Sequence, residues 1–179
     1  KLKGKGAVLI QGPKWCGKTW TSLNHANSVT YMTERSSRDL AKVDPKYVFT
    51  NNNPQLIDEW QLVPSIWDSV RHECDNDSNK GKFILTGSTT LEKTVSEEEV
   101  FHSGTGRIAT LKMHPMSLYE SGDSTGDVSI SEMLNDSVEC RYVRKVELDE
   151  IAKLIIRGGW PENVGRDAIE GSIISKSYI

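Results

Sequence analysis

Gly12-Pro13-Lys14-Trp15-Cys16-Gly17-Lys18-Thr19 constrains this chain more than any other stretch. It has the form G-x-x-x-x-G-K-T. A short apolar run, Ala7-Val8-Leu9-Ile10, precedes it, and a segment with helical character, Lys18 to Ala26, follows. Strand, glycine loop and helix in that order are the context of a phosphate-binding loop. Gly12 and Gly17 let the backbone wrap tightly and turn successive N–H groups inward. The start of the following helix adds unpaired donors. Lys18 is expected to reach the β- and γ-phosphates, and the Thr19 hydroxyl to ligate Mg²⁺. Pro13, Lys14, Trp15, Cys16 and Trp20 complete the predicted nucleotide-binding stretch. Trp15 reads as packing on the loop rather than stacking on a base. Trp20 and Leu23, three apart, are expected to face the core together. Cys16 reads as a tolerated loop residue, useful as an alkylation probe that bound nucleotide should protect.

A phosphate loop narrows the fold but not the class of protein, and here composition helps. With 179 residues the chain suits one domain with an appended piece. The net charge of −3 is unlike the broad basic excess of a protein held to nucleic acid by phosphate contacts. A nucleic-acid partner is therefore not indicated. No apolar run approaches a membrane span. Cys16, Cys74 and Cys140 are odd in number and widely spaced, which fits neither a disulfide framework nor a zinc site. A reducing cytoplasm is the natural expectation. His25, His72, His102 and His114 show no metal-ligand spacing and read as surface or structural residues.

Downstream, Gln55-Leu56-Ile57-Asp58-Glu59 is a short apolar strand ending in two carboxylates. Successive residues of a strand point apart. One carboxylate can thus serve a metal shell while the other addresses a water. About 40 residues after a phosphate loop, with a strand between, this is the Walker B partner such a loop needs. Ser28 to Thr33 alternates as a further strand, and Glu34 to Asp44 carries a weak helical pattern. Val63-Pro64-Ser65 opens a helix whose apolar face is Ile66, Trp67 and Val70.

Lys82 to Thr86 is another buried strand, closed by Gly87-Ser88-Thr89-Thr90. A hydroxyl there can sit beside the carboxylates, or belong to an ordinary turn. Glu97-Glu98-Glu99 reads as solvated surface within a loop from Leu91 to Gly106. Arg107 stands between that loop and a strand over Ile108 to Met113. Spacing alone makes it a surface ion-pair partner before a phosphate contact. Pro115 to Ser121 reads as one or two helical turns and Ser129 to Leu134 as a capped helix. Arg141 to Val146 is mixed. Leu148 to Arg157 is an amphipathic helix stopped by Gly158-Gly159. Glu162 to Ile179 is a second amphipathic stretch without a visible apolar partner.

Taken together, GPKWCGKT, LIDEWQ with VPSIWDSVR, FILTGS, HSGTGRI with MHPMSLYESGDSTG, and IIRGGWP resemble the prokaryotic AAA-like predicted ATPases. The resemblance runs from about Gly6 to Pro161. It implies an α/β domain of P-loop NTPase type, three layers deep, with a parallel sheet flanked by helices. By similarity Gly12, Gly17, Lys18 and Thr19 hold phosphate and Mg²⁺, Asp58 joins the metal shell partly through water, and Glu59 activates the water. Ser88 falls at a sensor position. Arg107 matches a loop arginine that meets γ-phosphate in its own subunit or in a neighbour's, the latter requiring self-association. The family pattern also implies a C-terminal domain beyond Ile179, so residues 1–135 read as the ATPase core and 136–179 as a helical extension leading into it.

The expected function is Mg-dependent ATP hydrolysis, with Glu59, Lys18, Ser88 and Arg107 as the catalytic set and an unidentified protein partner. A slow nucleotide-dependent switch and a P-loop small-molecule kinase are the alternatives.

Overall fold

A computed structural model describes residues 1–50, 52–76, 79–88, 104–135 and 145–177. Thr89-Thr90, most of the loop with its three glutamates, His102, Cys140 and the start of the mixed segment at 141 lie outside them. The chain divides into two compact units, Lys1–His114 and Pro115–Ile179.

The first unit is built on β1 (Ala7–Gly12), β2 (Ser28–Tyr31), β3 (Gln55–Asp58), β4 (Phe83–Ser88) and β5 (Ile108–Lys112). They form one sheet in the order β2-β3-β4-β1-β5, and every adjacent pair is parallel. The near-continuous apolar runs follow from burial on both faces. Alternation then divides them. Ala7 and Leu9 of β1, Ile57 of β3, and Phe83 and Leu85 of β4 join one core, with Ala41, Val48, Trp60, Ile66 and Val70. Val8 and Ile10, with Leu56 and Ile84, form the core of the opposite face. Helices α2 (Arg35–Val43) and α3 (Ser65–Asn76), with 3-10 turns at Pro45–Val48 and Trp60–Leu62, supply the first face. The short helix α1 (Lys18–Leu23) packs on β1, β3 and β4. The doubly covered parallel sheet expected from the sequence is therefore present.

Three local expectations need correction. Helix α1 has six residues and ends at Leu23, not Ala26. Its buried face is Lys18 and Ser22, one above the other at i and i+4, which turns Trp20 outward at 76% exposure and leaves Leu23 on the surface. A helix that starts at a phosphate loop directs its first inward residues at that loop, so its inner face is polar. Ser117 to Ser121 forms hydrogen-bonded turns rather than helix. There Glu120 folds back to accept from the Ser117 backbone N–H and hydroxyl, each at 2.8 Å. Those bonds, the backbone one first, hold its carboxyl below the ordinary range.

The second unit contains α4 (Ile130–Leu134), α5 (Leu148–Arg157) and α6 (Ala168–Ser177). Ser129 caps α4, accepting from the Glu132 N–H while Glu132 reaches back to the Ser129 N–H. Arg157, at the end of α5, donates to Asp123 at 2.6 Å, and its carbonyl accepts from Asn163 at 2.8 Å. Helix α6 does not present a long apolar stripe. Its small buried residue Gly171 rests near the Arg157 backbone, while Ile169 and Ile173 stay exposed. Among the described residues no helix is long and apolar enough to cross a membrane.

Candidate functional site

In a parallel sheet all strands end on one edge. Here β1, β4 and β3 lie side by side, so Gly12, Ser88 and Asp58 end beside one another. Gly12 pairs in register with Ser88. A side chain at position 12 is excluded, because a Cβ there would stand 2.4 Å from the Met113 carbonyl oxygen. Gly17 takes φ 95° and ψ 16° and caps α1, a conformation that favours glycine. The loop between them is thus fixed at both ends by glycine.

Lys18 is buried, at 5% exposure. Its Nζ donates to the Gly12 carbonyl at 3.0 Å and the Pro13 carbonyl at 2.8 Å. Lys14 and Trp15 are exposed on the loop, and Trp15 holds φ 63°. Cys16 is 1% exposed, with its Sγ pressed toward Gly12. This burial corrects its expected use as an alkylation probe: the loop's own fold shields the thiol.

The Thr19 hydroxyl donates to Asp58 Oδ1 at 2.7 Å, which ties the phosphate loop to the end of β3. Asp58 is buried, at 6% exposure. The same Oδ1 accepts from the Thr86 hydroxyl at 2.6 Å. Thr86 Oγ1 in turn accepts from the Glu59 backbone N–H at 3.2 Å. One fully buried hydroxyl on β4 therefore positions both adjacent acids. Glu59 has φ 55°. Left-handed backbone at a residue other than glycine is unfavourable by about 1–3 kcal/mol and concentrates at functional sites. Trp15 and Glu59 place two such residues on loops leaving β1 and β3, the strands on either side of β4. The Glu59 carboxylate accepts from the Gln61 side-chain amide.

Sequence reasoning passed over Thr86 and Gln61. The available signal for Thr86 was a polar side chain at a buried position of an apolar strand, level with the acids. Gln61 carried no periodic signal, since the left-handed turn at Glu59 decides where it points.

Arg107 is placed elsewhere. It precedes β5, whose first residue pairs with Ala7 at the start of β1. Five residue steps, about 16 Å at the rise of a strand, separate that level from Gly12. Arg107 instead donates to Asp75 at 2.6 Å, at the end of α3. The guanidinium holds the Asp75 carboxyl below its ordinary range, first through the hydrogen bond and then through charge, and is itself raised by the same partner. A contact from Arg107 to phosphate within its own subunit does not fit this topology.

A five-stranded parallel sheet with flanking helices and a glycine loop after β1 defines an α/β fold of P-loop NTPase type. The chain matches the family model described as AAA domain over residues 4–122, more than half of its length, and it belongs to that family of AAA-like P-loop ATPases. Membership carries nucleotide binding of ATPase type at the general level. No curated protein matches the chain significantly.

Proposed function

We propose that the site binds Mg-ATP and hydrolyses it. The observation that carries this reading is the Thr19–Asp58–Thr86 hydrogen-bond chain, which joins the phosphate loop to the two acids through one carboxylate oxygen. The donor chemistry fits a hard divalent cation. Thr19 offers a hydroxyl oxygen, and Asp58 a carboxylate that acts directly or through water. When bound, Mg²⁺ supplies charge neutralisation on the phosphate oxygens.

The chain's own residues do the rest. Loop N–H groups from Pro13–Thr19, proline excepted, cradle the phosphates with Gly12 and Gly17 shaping the turn. Lys18 supplies a fixed positive charge to the transferring phosphoryl group. Trp15 and Trp20 border the nucleotide-binding stretch. Glu59 orients a water and takes its proton as the water oxygen bonds to the γ-phosphorus and the bridging oxygen leaves with ADP. Ser88, closing β4 beside Gly12, is the candidate hydroxyl for the γ-phosphate. Self-association would bring Arg107 to a neighbour's site, a role supported by the resemblance and by its place at the opposite edge of the sheet. We place this activity in the cytoplasm, in keeping with the free thiols of Cys16 and Cys74. The proposed ATPase core is 1–135, with 136–179 as its extension.

The position of Arg107 also favours a second reading, a slow nucleotide switch whose turnover depends on contact between copies. Glu59→Gln is the deciding variant. ATP binding should persist in a filter or calorimetric assay while phosphate release falls by about 100-fold or more. Full turnover in that variant removes Glu59 from the mechanism. Phosphate release per chain that rises steeply with protein concentration would favour the switch.

A further inference from the structure

We infer that Gln61 is a positioning residue for Glu59, seated in space that the absent side chain of Gly87 leaves open. This inference rests on the hydrolysis reading above. The chain turns left-handed at Glu59 and enters the 3-10 turn Trp60–Leu62, which folds Gln61 back along its neighbour. Gln61 Nε2 then donates to Glu59 Oε2. Trp60 anchors the turn, buried and in ring contact with Trp67 at 5.1 Å. On the facing strand a Cβ at Gly87 would come within 3.0 Å of Gln61 Oε1 and 3.1 Å of Trp60 Nε1. A side chain there would press on the amide and require it to shift by a few tenths of an ångström. Gly87 stands between Thr86, which holds the acids, and Ser88, which ends beside the phosphate loop.

The amide is a poor choice for stability alone. Its Oε1 is buried and meets no hydrogen-bond partner among the described residues. A buried acceptor without a partner is costly, and a leucine of similar size would fill the same space without that cost. What the amide adds is the bond to Glu59. A glutamate side chain has several rotatable bonds, and a fixed donor on Oε2 restricts it to one orientation, leaving Oε1 to accept from the water. Control of that angle governs rate rather than affinity, because the group it holds acts on water and not on the bound phosphates.

The test is steady-state phosphate release and ATP affinity for the unsubstituted chain, Gln61→Leu, Gly87→Ala, Glu59→Gln and the double variant E59Q/Q61L. Gln61→Leu should lower kcat by about tenfold with KM and ATP affinity within about twofold, as expected for lost orientation. Its thermal midpoint should equal or exceed that of the unsubstituted chain, which separates positioning from a structural role. Gly87→Ala should reproduce the kcat loss, and Q61L should cost nothing further in the E59Q background. Full kcat in Q61L beside a large loss in E59Q overturns the positioning role and leaves the hydrolysis reading standing. Full kcat in E59Q, or no turnover in the unsubstituted chain at any concentration, overturns both. An equal Q61L effect with and without Glu59 shows that the amide acts elsewhere and also overturns it.

Discussion

At one edge of the sheet, Lys18 and Asp58 are buried and tied by hydrogen bonds to the Gly12 and Pro13 carbonyls and to the Thr19 and Thr86 hydroxyls. At the other edge, Arg107 and Asp75 form an ion pair of 2.6 Å with 42% and 38% of their side chains exposed. Each pair has one cation and one carboxylate. In the first, each charge is met by neutral carbonyls or hydroxyls rather than by the other charge. The second satisfies its charges mutually, in water. Burial and choice of partner, rather than the presence of charge, separate a site poised for chemistry from a surface contact.

The largest effect should come from breaking the buried edge. Lys18→Met keeps the aliphatic stem and removes the charge. ATP binding should fall below detection in a titration to millimolar nucleotide, while the thermal midpoint holds or rises. A buried ammonium costs desolvation, and an apolar side chain of similar volume does not. Unaltered ATP affinity would sink the nucleotide site.

Thr86→Val is the next largest. It preserves a β-branched shape in β4 but removes the hydroxyl that serves Asp58 and Glu59. The Glu59 N–H and Asp58 each lose a partner, so stability should fall by about 1–3 kcal/mol in denaturant titration. Phosphate release should drop with it by at least about tenfold, as the acids lose orientation. Loss of stability without loss of rate would mean that Thr86 holds the sheet and not the site.

The contrast between these residues also shows what could be read from sequence. Gly12 to Thr19, the acids at 58 and 59, and the buried runs of β1, β3 and β4 were legible because each is a local pattern with a single geometric consequence. Thr86 was hidden because threonine is an ordinary strand former, and its significance needs Asp58 on the neighbouring strand. Trp20 misled because a large aromatic usually turns inward, whereas a six-residue helix leaving a phosphate loop buries Lys18 and Ser22. The place of Arg107 was legible in principle. The phosphate loop follows its strand and Arg107 precedes its own, so parallel pairing of the two strands sets them at opposite edges. The parallel sheet was itself expected, but the likeness of Arg107 to a loop arginine at γ-phosphate outweighed this consequence.

A smaller effect should follow at that opposite edge. Arg107→Ala should leave ATP affinity of the single chain unchanged, since Arg107 precedes β5 at the level where β1 begins, five residue steps from Gly12. If a neighbour's site uses Arg107, the variant should abolish any rise of phosphate release with protein concentration. Sizing by light scattering at matched concentrations separates lost association from lost catalysis. Lower ATP affinity in the dilute single chain would break the comparison, because it would require Arg107 to reach its own subunit's site.

The smallest effect is the acid response of the same ion pair. Arg107 holds the Asp75 carboxyl below its ordinary value of 3.8. A carboxyl depressed in the folded state binds fewer protons there than in the unfolded state, so it adds stability with rising pH. That contribution is complete above the unfolded value and is lost as pH falls through the lower folded value. Both side chains are solvent-exposed, so the gain at neutral pH is small and salt weakens it further. Arg107→Ala and the unsubstituted chain should therefore differ slightly in thermal midpoint at pH 7 and low salt. The difference should narrow as pH falls below about 4, where Asp75 protonates and the partner no longer matters. A difference that widens with acid would have the wrong sign for this pair and would assign the effect of the substitution to the backbone of β5 instead.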